Sequence, residues 1–181
     1  MTKIETIDKE KELISKIISG DKDAFGELYD FYAPKVFRFI RLKVKSQALA
    51  EDLTSESFLR IWEHLQKQRQ AEEGFRALLY TIARNLIVDS YRRKSSQEVS
   101  LDDDFMEFLL QEPAKDEIAS KEKAEEIHRA LINIKEEYQN VLIWYYIEEL
   151  SVGEIADIMN KSEGAIRVLI HRALRSLKKH L

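Results

Sequence analysis

Apolar residues recur at three- and four-residue intervals along most of this chain, and little interrupts them: its 181 residues include only five Gly and two Pro. That spacing is the mark of helices with one buried face. Leu13, Ile14, Ile17 and Ile18 define a first helix over residues 8–20, with Gly20 as its stop. Asp21 can cap a second, which buries Phe25, Leu28, Tyr29 and Tyr32. Pro34 should bend or break it before Val36, Phe37, Ile40 and Val44 continue the pattern. Residues 48–66 form a long helix with Leu49 and Leu53 on one stripe and Phe58, Ile61, Trp62 and Leu65 on another. Its third side, at about 100° per residue, presents Asp52, Glu56, Arg60 and Glu63. A polar loop at 67–74 leads into a helix from Phe75 to Lys94 that buries Phe75, Leu78, Leu79, Ile82 and Leu86. Further on, Ala124, Ile127, Leu131 and Ile134 define one helix, and Tyr138, Val141, Leu142, Tyr145 and Tyr146 another. Residues 152–159 and 163–180 form a close pair. Neither strand alternation nor an internal repeat is visible. The expected fold is all-α: two small helical domains at 1–95 and 122–181, each marginal alone, joined by a linker at 96–121 that contains Pro113 and lacks a sustained period.

The net charge of −4 argues, taken whole, against a nucleic-acid partner. Its distribution reverses that argument. Residues 97–126 hold eleven acids, from Glu98 to Glu126, against Lys115, Lys121 and Lys123. From Arg167 onward there are Arg167, Arg172, Arg175, Lys178 and Lys179 and no acid. Phe75–Lys94 carries Arg76, Arg84, Arg92, Arg93 and Lys94 against Asp89 alone. Two basic helices thus flank an acidic linker.

The last two helices read as a helix-turn-helix. Ser151 and Glu154 have the spacing of a capping box, Asn160-Lys161 make a tight turn, and Ser162 can cap the helix that follows. Ala156 is small where the two helices must approach. With Ile166, Leu169, Ile170, Ala173 and Leu177 inward, the outward arc carries Arg167, Val168, His171, Arg172, Arg175 and Lys178. A major groove admits one helix, and Arg can give two hydrogen bonds to a guanine edge. The same face also fits a plain solvated surface, because cations are favoured near a helix C-terminus. On the Phe75–Lys94 helix, Tyr80, Arg84 and Tyr91 share a stripe opposite the expected core, flanked by Asn85 and Arg92. Rings between cations suit an unpaired strand, whose bases stack while Arg holds phosphate; equally, the tyrosines fit packing against a neighbouring helix.

No catalytic constellation is present. The four His residues are scattered, no Gly-rich phosphate loop occurs, and without Cys there is neither a disulfide nor a thiolate metal site. No enzymatic activity, metal or cofactor is expected. The residues after Met1 are charged, and no apolar run reaches the length of a signal sequence or a membrane span, so a soluble, cytoplasmic protein is expected. Two rivals remain open: a stand-alone helix-turn-helix repressor or activator, and a DNA-cleaving enzyme using Tyr91 beside Arg92 and Arg93.

Three segments resemble the extracytoplasmic-function (ECF) type of RNA polymerase sigma factor, of the sigma-70 family. Ala50–Trp62 and Phe75–Asn85, followed by Asp89 and Tyr91-Arg92-Arg93, resemble region two. Leu150-Ser151, Glu154-Ile155-Ala156, Ser162–Arg167 and His171–Leu174 resemble region four. The resemblance covers nearly the whole chain, and it implies a subunit that binds core polymerase, directs it to promoters and helps to melt DNA. The helix around Asp52–Trp62 is similar to the one that docks on the clamp of the polymerase largest subunits, and its charged arc of Asp52, Glu56, Arg60 and Glu63, with Trp62, is the candidate for that contact; the flap is a second expected contact. Arg84, Asn85, Asp89, Arg92 and Arg93 match the minus-ten positions, joined by Tyr80 from the stripe on the same helix, and Arg167, Val168, His171 and Arg172 match the minus-thirty-five positions, joined by Arg175 from the same outward arc. The acidic linker resembles the segment that threads the polymerase's basic channels. Because the chain ends at Leu181 without an appended sensor, a separate anti-sigma protein is the expected regulator.

Overall fold

The computed structural model describes residues 3–44, 46–68, 74–93, 126–127 and 129–181. Among these residues every regular element is helical, and they fall into two units on either side of about residue 100. The acidic linker and most of the loop expected at 67–74 lie outside the described residues.

The first unit contains α1 (Lys3–Ile18), α2 (Lys22–Arg41), α3 (Gln47–Gln68) and α4 (Phe75–Arg93). Its boundaries follow local chemistry. Gly20 ends α1 at φ 99°, a backbone region open to glycine. Asp21 then caps α2, its Oδ1 accepting from the amides of Asp23 and Ala24 at 2.9 and 3.1 Å. Contrary to expectation, α2 runs through Pro34 without interruption. Pro34 and Asp30, whose carbonyl loses its partner, are both exposed, so water can replace the missing bond.

α3 packs against α1, α2 and α4. Its two expected apolar stripes merge into one face of Ala50, Leu53, Phe58, Ile61 and Leu65. Thr54 and Ser57 are buried on that face, and each hydroxyl donates to the carbonyl four residues back, at 2.7 and 2.6 Å. Trp62 and Phe25 lie at the rim, ring centroids 4.8 Å apart, and Tyr29 stacks edge-on against Phe58 at 4.7 Å. Tyr29, expected in the core, is therefore exposed on one side.

α4 is rotated from its expected orientation. Its buried residues are Phe75, Ala77, Leu79, Tyr80, Ala83, Leu86 and Ile87, an arc centred on Ala83, whereas Leu78 and Ile82 are half-buried. At about 100° per residue the core face turns by roughly 80°. Tyr80, 1% exposed, meets Phe39 edge-on at 5.5 Å.

In the second unit, residues 129–132 are helical. α5 (Glu136–Leu142) continues into a π-helical turn at Ile143–Ile147, followed by α6 (Val152–Met159) and α7 (Glu163–Leu177). The amide of Glu148 donates to the carbonyl of Ile143, five residues back, at 3.0 Å. The wider turn changes the register: Ile143 and Trp144 are buried, while Tyr145 and Tyr146, expected in the core, point outward. α5 and α6 both pack on α7. Burial of residues such as Trp144, Ile155 and Ile166 contributes roughly 1.5–3 kcal/mol per large side chain.

Candidate nucleic-acid interface

The turn between α6 and α7 sets the second helix. Ser151 Oγ accepts from the Glu154 amide at 3.2 Å while Glu154 Oε2 accepts from the Ser151 amide at 2.7 Å, closing the capping box. Asn160 ends α6 at φ 50° and ψ 51°. Its amide donates to the carbonyl of Asp157, and that of Lys161 to the carbonyl of Ala156 at 3.0 Å, a paired closure that satisfies two carbonyls of the last turn of α6. Ser162 Oγ accepts from the Ala165 amide at 3.3 Å and starts α7. Lys161 also reaches Glu137 of α5 at 3.3 Å, which ties the turn to the helix beneath it. Ala156 is buried, as a helix crossing requires.

α7 buries Ile166, Leu169, Ile170 and Ala173. Arg167, Val168, His171, Arg172 and Arg175 are all exposed on the other side, Val168 at 50%. The structure thus brings the five expected reader residues onto one surface. Arg167 is engaged within its own helix: its Nη2 donates to Glu163 Oε2 at 2.7 Å.

On α4 the expected group divides. Asn85 and Arg92 share an exposed face, two turns apart, while Asp89 is half-buried. Arg84 lies at the edge of the core, and its Nε is buried with no hydrogen-bond acceptor. Tyr80 is a core residue, and its placement on an exposed stacking stripe is corrected. Tyr91 is half exposed, and its hydroxyl donates to the Lys43 carbonyl, pinning the end of α4 to the segment after α2. The Arg93 side chain lies outside the described residues.

On α3, Asp52, Arg60 and Glu63 are exposed and Glu56 is half-buried, with Arg60 Nε 2.8 Å from Glu56 Oε1. Leu59, 52% exposed, lies beside this charged arc, at its edge next to Asp52. Sequence reasoning missed it, although its position one turn from Ser55 and Glu63 was signal enough. Trp62 lies nearly a quarter turn away and packs on Phe25, so it does not belong to that arc. Among the described residues no three metal-ligating side chains converge, and no helix is long and apolar enough to cross a membrane.

Comparison with known proteins agrees with this geometry. The sigma-70 region 2 model matches residues 28–97, and the sigma-70 region 4 model matches residues 124–177. The ECF RNA polymerase sigma factor BldN of Streptomyces coelicolor is 34% identical over 171 residues, covering 94% of this chain and 65% of that protein. SigM of Bacillus subtilis, another ECF RNA polymerase sigma factor, is 32% identical over 152 residues, covering 84% and 91%. The fold is similar to that of RpoE from Bartonella quintana, solved in complex with the anti-sigma factor NepR. The TM-score is 0.67 at 19% identity, over 88% of this chain and 97% of that one. With two region models in chain order and a 32% identical relative matched over nine-tenths of its length, the chain belongs to the ECF sigma factors of the sigma-70 family, which bind core RNA polymerase and direct it to specific promoters.

Proposed function

We propose that this sigma factor divides its work between its two helical units, residues 1–95 and 122–181, with the acidic segment 96–121 between them. α7 reads the minus-thirty-five element through Arg167, Val168, His171, Arg172 and Arg175. The observation that carries this reading is their common exposure on a helix whose start is fixed by the Ser162 cap. Arg supplies paired donors to guanine, and Val168 supplies apolar contact for a thymine methyl. α4 holds the opened strand at the minus-ten element with Asn85 and Arg92, its exposed polar pair. Arg84 and Asp89 border them, Arg93 is the next residue after Arg92, and Tyr80 supports them from the core. Unpairing and unstacking a base costs a few kcal/mol, which contacts to the extruded base and to phosphate offset.

The α3 arc of Asp52, Glu56, Arg60 and Glu63, with Leu59 beside it, docks on the polymerase clamp, and Tyr145 and Tyr146 offer an apolar surface for the flap. The subunit itself does no chemistry: the Tyr91 hydroxyl serves a backbone carbonyl, which disfavours a cleavage role. A cytoplasmic location follows from work on core polymerase. A separate anti-sigma protein is the expected regulator, as the NepR complex of RpoE suggests.

The test is transcription in vitro with core polymerase on a genomic library, reading start sites. Expected are new starts that share an upstream and a minus-ten motif. No starts above core polymerase alone would sink the proposal.

A further inference from the structure

The ion pair inside the reader helix has a geometry that bears on specificity. Glu163 is the first residue of α7, and its Oε2 accepts from Arg167 Nη2 at 2.7 Å. Its other oxygen, Oε1, lies 3.6 Å from where a β-carbon on Gly153 of α6 would stand. The carboxylate therefore sits between the two helices of the motif. Around Gly164, the next residue of α7, a β-carbon would meet nothing within 4 Å.

An exposed pair one turn apart contributes little to stability. Its effect on Arg167 is geometric. A guanidinium has five N–H donors, and a guanine edge takes two of them. One donor given to Glu163 leaves enough for the base, and it fixes a long side chain that otherwise samples many rotamers. Immobilising such a side chain before binding removes a cost from the bound state. The same carboxylate, set close to a phosphate backbone, disfavours duplexes that do not engage Arg167.

We propose that Glu163 is a positioning residue that holds the Arg167 guanidinium in the orientation that takes a base edge, and so sets specificity at one upstream base pair. The inference rests on the reading of α7 as the upstream reader, and its test separates the two.

Reconstituted holoenzyme is titrated with promoter duplexes that differ at single upstream base pairs, and the ratio of dissociation constants is read at each position. Arg167→Ala is expected to abolish the ratio at one position. Glu163→Ala is expected to reduce it there by about two- to tenfold, while affinity for the substituted duplex holds or rises. Glu163→Gln keeps an acceptor and should restore most of the ratio. In the Arg167→Ala background, Glu163→Ala should change no ratio further. If Arg167→Ala abolishes the ratio and Glu163→Ala leaves it intact, the positioning role fails and the reader assignment stands. Equal weakening of every duplex by Glu163→Ala also overturns it, as a folding effect. If Arg167→Ala leaves all upstream ratios unchanged, both ideas fall together.

Discussion

Replacing Tyr80 with alanine separates a core residue from a DNA contact on the same helix. The ring is 1% exposed and meets Phe39 edge-on at 5.5 Å, inside a face that also buries Leu79, Ala83 and Leu86. Truncating a buried aromatic to alanine costs about 3–5 kcal/mol through lost transfer energy and the cavity left behind. A domain of this size has only about 5–15 kcal/mol in total. With a urea dependence of about 1–3 kcal/mol per molar, a loss of about 4 kcal/mol lowers the midpoint by roughly 1.3–4 M. Urea titration with amide exchange, read separately over residues 3–93 and 129–181, measures this for each unit. The expected loss falls on the first unit and includes α3, which packs on α4. Tyr80→Phe, which keeps the ring against Phe39, should recover most of the stability. An unmoved midpoint for Tyr80→Ala, accompanied by loss of promoter opening, would refute the core assignment and return Tyr80 to the strand-binding surface.

Three further outcomes are expected. Asn85→Ala, at an exposed position, should reduce open-complex formation measured by permanganate footprinting more than it reduces polymerase binding; equal loss of both would contradict the strand-contact role. Gly26 lies within α2, and a β-carbon there would meet nothing within 4 Å. Gly26→Ala should therefore stabilise the first unit by about 0.5–1 kcal/mol, raising its thermal midpoint by about 2–8 °C in calorimetry; a lowered midpoint would contradict the open space seen there. Asn160 holds φ 50° at the end of α6. Asn160→Ala should cost about 1–2 kcal/mol in denaturant unfolding of the second unit while Asn160→Gly is neutral, and equal costs would place the role in the Asn side chain instead of its backbone.

What was legible in the sequence divides by range. The caps at Asp21, Ser151 and Ser162 and the stop at Gly20 depend on partners within about four residues, so residue type and spacing suffice to read them. The face of α7 was also legible, because one clean stripe is buried and the rest meets solvent. Two helices were harder, each for its own reason. α4 is buried over more than half its circumference, and its centre is Ala83, with Ala77 also inside. Alanines mark the closest helix contacts yet weigh little in a hydrophobic pattern, so Leu78 and Ile82 drew the expected face off by roughly 80°. That rotation is what set Tyr80 on the outside and left Asn85 and Arg92, the residues with real exposure, as mere flanks. At the end of α5 the pattern itself was sound, but a 3.6-residue period cannot foresee a π turn, and the extra residue turned Tyr145 and Tyr146 outward.

In both places the error concerns rotation about a helix axis, while the existence and order of the helices held. Site assignments are sensitive to that quantity, because a contact residue is defined by the face it occupies. The α3 arc shows the same dependence. Asp52, Glu56, Arg60 and Glu63 keep their common side, exposed Leu59 lies along its edge, and Trp62, assigned to the clamp with them, packs on Phe25 instead. A polymerase contact here therefore sets one apolar anchor beside a charged arc, so that burial of the anchor supplies affinity and the charges supply orientation. Leu59→Asp should then weaken holoenzyme assembly more than charge reversal at Asp52 or Glu63, at unchanged stability of the free chain.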